Sequence, residues 1–236
     1  MSGWLPWRRW RESRPEVRGA DEAASADADP RWVVVDVEAS GLDPVDDRLL
    51  AIAGIAVRFR QGEPRLSIAD SFEVILRQEQ GADGDGTTID KSNILLHGIG
   101  LGAQRGGVPA EAALAAFRDW VADSPIVGYH AAFDQTLIRR YAISHLGRRP
   151  DNDWVDLEHV VQLVVPGLPD RSLDAVMARL GITCLRRHQA AADSLATAEV
   201  LLKVWPLARA QMGRRTDFRA FRRLAARHNW LPREGG

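Results

Sequence analysis

The chain is 236 residues long with a formal net charge of −1, which allows one domain of about 150–200 residues plus short extensions and excludes a uniformly basic nucleic-acid coat. Cys184 is the single cysteine, so an internal disulfide is excluded. No apolar run reaches the roughly 18 residues that span a bilayer and the N-terminus lacks the apolar core of a secretory signal, so a cytoplasmic protein without membrane contact is expected.

Residues 1–30 read as an arm. Trp4, Trp7 and Trp10 are interleaved with Arg8, Arg9 and Arg11, and an Ala/Asp-rich linker runs to Pro30. Docking of the tryptophans on the body is the simpler reading, and contact with nucleic acid or a partner is the sharper one. Arg31 to Val37 is a β-branched run, expected as a strand buried on both faces. Leu49–Phe59 and Leu66–Leu76 read as two more strands joined through Gly62 and Pro64, so the domain opens with an antiparallel meander. Asp83 and Asp85 lie in a Gly/Asp-rich stretch that lacks the glycine and glutamate positions of a calcium loop and reads as a solvated turn.

Beyond it the period changes. Pro109–Ala122 is expected as a helix, Ile126–Tyr129 as a short strand, Phe133–His145 as a helix, and Val155–Val165 and Ser172–Leu180 as two more, the last closed by Gly181. Gln189 to about Met212 reads as a long helix with a break near Pro206. Asp217–Arg227 reads as a basic amphipathic helix with Phe218, Phe221 and Leu224 on one face; its arginines are taken as a solvated face, with guidance of a single strand as the lesser reading. A meander followed by strand–helix alternation predicts an α/β domain with a mixed sheet flanked by helices.

Four acids stand where a core should be. Asp36 and Glu38, two apart at the end of the buried strand, project from one face, and two like charges there are costly without a cation. Gly41 then lets the chain turn. Asp134 opens a helix and shares its buried stripe with Leu137, Ile138 and Tyr141. Asp193 opens another, in line with Thr197, Val200 and Val204. Each aspartate alone could simply favour a helix N-terminus. Together they supply four oxygen ligands suited to hard divalent cations. His188, five residues before Asp193, could accept a proton from water near neutral pH.

These segments resemble the three motifs of the DEDDh family of 3′–5′ exonucleases. The first reads Asp36-Val-Glu38-Ala39-Ser40-Gly41 followed by Leu42, the second His130-Ala131-Ala132-Phe133-Asp134, and the third His188 through Asp193. Leu96-His97-Gly98-Ile99 is similar to the family's intervening HGI segment. The resemblance spans 31–205, with 206–236 a basic extension. It implies a ribonuclease H-like fold with five strands in a mixed sheet. Two Mg²⁺ or Mn²⁺ ions would be held by Asp36, Glu38, Asp134 and Asp193, with His188 as general base. Ser40, Gly41, Leu42 and His97 would contact the substrate, Leu42 wedging against the last base. Ala39 stands where the family has Thr or Ser, and Ala131 where it has Asn; neither supplies a metal carboxylate, so activity is expected.

The implied activity is hydrolysis of single-stranded 3′ ends, DNA favoured, to nucleoside 5′-monophosphates. An RNA-trimming or short-oligoribonucleotide exonuclease is the alternative within enzymes, and a non-catalytic nucleic-acid- or partner-binding module the alternative outside them. The sequence identifies no polymerase or other protein partner.

Overall fold

The computed structural model describes residues 30–78, 98–168 and 170–230. The tryptophan-rich arm, the Asp83–Asp85 stretch and His97 lie outside them. Strand β1 (Arg31–Ala39) pairs antiparallel with β2 (Leu49–Arg60), and β2 with β3 (Glu63–Ile75). On its other side β1 pairs parallel with β4 (Ile126–Gly128), and β4 with β5 (Trp154–Asp156). The sheet order is β3-β2-β1-β4-β5, the mixed five-stranded arrangement expected.

Central strand β1 alternates between two cores. Trp32 and Val34 join a core with residues of helices α4 (Leu157–Val164), α5 (Leu173–Leu180), α6 (Ala190–Met212) and α7 (Phe218–Ala226). Val33, Val35 and Val37 face the other way, against α2 (Ala110–Val121) and α3 (Ala131–Leu146). Continuing the alternation puts Asp36 and Glu38 on the α6 face, past the end of the apolar stretch. The β1–β2 register slips between Glu38 and Ala39, a bulge of the kind that re-aims side chains beside sites.

Two expectations are corrected. Val155–Val165 is not a single helix. Trp154–Asp156 pairs with Ile126–Gly128 as strand β5, and Asp156 then caps α4 by accepting the Glu158 N–H. The apolar run VDLEHVVQLV carries no break that a period count could detect. The long helix α6 is likewise unbroken at Pro206. Pro206 is exposed, while Trp205 and Ala208 on either side are fully buried, so packing holds the helix through the lost backbone bond. A short helix α1 (Leu101–Gly106) has no apolar period in its LGAQRG sequence and was not foreseen.

The basic helix α7 packs its apolar face into the sheet. Phe218 and Phe221 meet Trp32 with ring centroids 5.0 and 5.3 Å away, and Trp205 and Phe59 complete the aromatic group. Among the described residues no helix is long and apolar enough to cross a membrane.

Candidate active site

Asp36 and Glu38 leave β1 on the face covered by α6, and the first turn of α6 carries Asp193. One carboxylate oxygen from each of the three lies within 4.8 Å of the others. Asp193 is buried, as is Thr197 one turn on. The structure therefore brings together three of the four expected acids from two distant stretches of chain.

Asp134 stands outside that 4.8 Å group but borders it. It is buried in the first turn of α3, and its Oδ1 accepts the Val37 N–H at 3.2 Å, from the residue between Asp36 and Glu38. Gly128, at the end of β4, makes this approach possible. A Cβ there would sit 3.0 Å from that of Ala131 and 3.4 Å from Oδ2 of Asp134.

His188 is exposed, with φ at 60°, and its backbone N–H donates to Oδ2 of Asp193 at 3.0 Å. Arg187, which sequence reasoning missed, pairs with the other oxygen of Asp193 and with Asp174 Oδ1 at 2.7 Å. Nothing in an isolated Arg-His pair signals that the arginine turns back onto the acid six positions later.

Burial and mutual repulsion raise three of these carboxyl groups above the usual carboxylate range. Burial first, then the charges of Asp134, Glu38 and Asp193, keep the Asp36 carboxyl well above the usual carboxylate range, with Arg187 opposing. Burial and then Asp193 push Glu38 up to about 7, against Arg187 and a hydrogen bond from the Ala190 backbone. Asp134 is raised mainly by burial, the Val37 N–H acting against it. Converging oxygens that repel one another in a low-dielectric setting are what a hard divalent cation relieves. The donor set fits such a metal ion.

The loop after β1 is built around Asp47, also missed. Its carboxylate accepts the Ser40 hydroxyl (2.8 Å) and the Asp43 N–H (2.8 Å), while Ser40 Oγ accepts the Arg48 N–H (2.9 Å). Arg140 of α3 donates to the Asp47 carbonyl. A Cβ on Gly41 would collide with the Asp47 carboxylate. Leu42 projects from this loop at 93% exposure. Of the expected substrate contacts, Ser40, Gly41 and Leu42 thus share one loop, and His97 lies outside the described residues. Gly98, next to it, comes close to the Arg186 guanidinium and the Gln189 side chain.

Two other features are distinct from this group. Asp156, Glu158 and His159 also place one ligand atom each within 4.8 Å of one another. Asp156 already accepts three backbone N–H groups, and Glu158 is engaged by Gln162 and lies 3.9 Å from Arg171. A cleft of about 540 Å³ contains Phe117, Ile138, Arg148, Asn152 and Phe218 in its wall and none of the expected site residues. The acids lie instead at the opposite, C-terminal ends of β1 and β4.

Comparison with known proteins fits this geometry. The family model described as exonuclease, of ribonuclease T type, matches residues 33–201. The chain is 31% identical over 184 residues to a DNA polymerase III subunit epsilon-like protein of Rhodobacter capsulatus, covering 76% of this chain and 24% of that one. It is 29% identical over 177 residues to a PolC-type DNA polymerase III of Listeria welshimeri, covering 75% of this chain and 11% of the polymerase. The chain therefore spans only a small part of these relatives. Among solved structures, E. coli exonuclease I in complex with a dT13 oligonucleotide superposes with a TM-score of 0.63 at 20% identity, over 77% of this chain and 42% of that one. That likeness places the sheet and its helices in the ribonuclease H-like fold.

Proposed function

This chain belongs to the exonuclease family, and from that premise we propose that it removes nucleotides one at a time from single-stranded 3′ ends, DNA favoured, releasing nucleoside 5′-monophosphates in a reaction that needs divalent metal. The observation that carries the reading is the convergence of Asp36, Glu38 and Asp193 within 4.8 Å, with Asp134 buried beside them. DNA is favoured because relatives are named as parts of DNA polymerase III and a structural neighbour was solved with a DNA strand.

Asp36, Glu38, Asp134 and Asp193 are the residues that would hold two Mg²⁺ or Mn²⁺ ions. Such ions, when bound, supply a more acidic water and stabilise charge on the reacting phosphate. His188 takes the proton from the attacking water, whose oxygen bonds to phosphorus as the bond to the 3′ oxygen breaks; that oxygen leaves with a proton from solvent. Asp193 fixes the backbone of His188 from one side and is itself held by Arg187 from the other. The Ser40–Asp47 loop shapes the entrance, with Leu42 presented to the last base.

A single experiment tests the reading. With Mg²⁺ or Mn²⁺, a 5′-labelled single-stranded DNA should shorten stepwise and release mononucleotides. Asp36→Asn should abolish this, and a matched RNA should react more slowly. Release that persists in excess chelator, or an Asp36→Asn variant as fast as the parent, overturns it; faster RNA cleavage reverses the substrate preference.

A further inference from the structure

We propose that Asp156, at the end of β5, is a positioning residue for the candidate site. Its carboxylate gathers the backbone N–H groups at the start of α3 and so fixes the turn that carries Asp134. The two strands end side by side, Gly128 of β4 in register with Asp156 of β5. From Gly128 the chain reverses through Tyr129 and His130 into α3. His130 adopts a left-handed conformation, φ 57° and ψ 42°, and the start of α3 has no side-chain cap of its own. Ala131 carries only a methyl group. A left-handed residue followed by a helical one aims successive N–H groups into one concavity, an anion-binding nest.

The Asp156 carboxylate fills that nest. Oδ1 accepts the His130 N–H at 3.1 Å and the Glu158 N–H at 3.0 Å, while Oδ2 accepts the Ala131 N–H at 2.9 Å. One side chain thus ties the first residues of α3 to the first turn of α4. One turn into α3, Asp134 accepts the Val37 N–H. The linkage therefore runs from β5 through the start of α3 to the β1 segment bearing Asp36 and Glu38. Without an acceptor at 156, three N–H groups lose their partner, two of them at the start of α3, and the left-handed conformation at His130 loses what holds it. The first turn of α3 is then free to shift, with Asp134 on it.

The consequence for metal binding rests on the nuclease reading, whereas the clamp itself does not, and the test separates the two. In the full chain, Asp156→Ala and Asp156→Asn are compared with the parent by amide hydrogen exchange without metal, by Mn²⁺ titration followed through its electron paramagnetic resonance signal, and by nucleotide release. Asp156→Ala should speed exchange at His130, Ala131 and Val37 at least tenfold, leave β2–β3 protected, and raise the half-saturating Mn²⁺ concentration about tenfold. Asp156→Asn keeps one side-chain oxygen as acceptor and should fall between. A merely structural role elsewhere in the fold would speed exchange throughout. Exchange at 130–131 within twofold of the parent, or faster exchange there with unchanged Mn²⁺ affinity, overturns the proposal. If Asp156→Ala does not fold, the same criteria apply to Asp156→Asn. A parent that binds Mn²⁺ but releases no nucleotide overturns the nuclease reading, and the exchange and titration results still decide the role of Asp156.

Discussion

The backbone N–H of His188 donates to Oδ2 of Asp193 at 3.0 Å, closing the interval between them into a loop that ends at the start of α6. This bond gives a physical sense to the spacing of the pair: the acid proposed for the metal site also sets the backbone from which the imidazole departs. Because His188 has a positive φ, its replacement should respect that conformation. Asn tolerates it well, so His188→Asn removes the base and keeps the loop. Its kcat should fall about 10²–10⁴-fold with Mn²⁺ affinity unchanged, as read by steady-state rates and a metal titration. Equal loss of both would assign His188 a structural role.

Asp36→Asn should separate function from stability. Asp36 is half-buried beside three other carboxyl groups, and desolvation and their charges hold its carboxyl well above the usual carboxylate range. An amide of the same shape removes the repulsion. The metal-free variant is expected to melt no lower than the parent, while Mn²⁺ no longer raises its melting temperature and nucleotide release falls by about 10³-fold or more, the scale of several kcal/mol lost from metal-assisted catalysis. Differential scanning calorimetry with and without Mn²⁺ reads the first part.

Glu38 makes a pH prediction. Its carboxyl titrates near 7 in the folded, metal-free chain and at an ordinary 4.5 when exposed. Between these values the folded state binds the extra proton, so this group's contribution to stability declines as pH rises from about 4.5 to 7. The melting temperature of the parent minus that of Glu38→Gln should therefore fall from pH 5 to pH 8 without metal. Divalent ions displace the proton, so Mn²⁺ affinity should rise with pH and level off above about 7. A flat difference and a flat affinity would contradict the assignment.

Gly41→Ala drives a methyl group into the Asp47 carboxylate, which holds Ser40 and Asp43. Losing one or two of those bonds costs about 1–3 kcal/mol and loosens the loop that presents Leu42. KM for a single strand should rise severalfold with Mn²⁺ affinity unchanged, measured on one labelled substrate. A reciprocal Asp47→Ala in the Gly41→Ala background should add little further loss, because the two changes act on the same contact.

Phe221→Ala empties a fully buried position packed against Trp32 and Trp205. Large-to-small changes of this kind cost about 3–5 kcal/mol, which urea unfolding followed by tryptophan fluorescence will report.

The parts legible in the sequence were those that violate a local rule. Carboxylates at the end of a valine-rich strand and on the buried stripes of two helices are conspicuous because water is the normal place for them, and the structure finds Asp134 and Asp193 buried. The meander was readable because alternation and turn residues agree. What escaped was fixed by partners far along the chain. Asp156 acts on backbone 25 and 26 positions away, and the Asp47 carbonyl is held by an arginine 93 positions on. Neither an acid after a valine nor one before an arginine differs from any surface residue until the fold is known. Strand β5 escaped because three residues are too few to show a period beside the helix that follows.

The aromatic group around Trp32 carries a consequence for synthesis. Its first member lies on β1 and its last members on α7, so as the ribosome extends the nascent chain the indole at position 32 can meet Phe59 and then Trp205, but it stays only partly covered until α7 is made. Only when the segment bearing Phe218 and Phe221 has emerged can that end of the sheet be sealed. Translation and the last folding step are thereby coupled in time, and a transcript broken before codon 217 encodes a chain whose opening strand never acquires its lid.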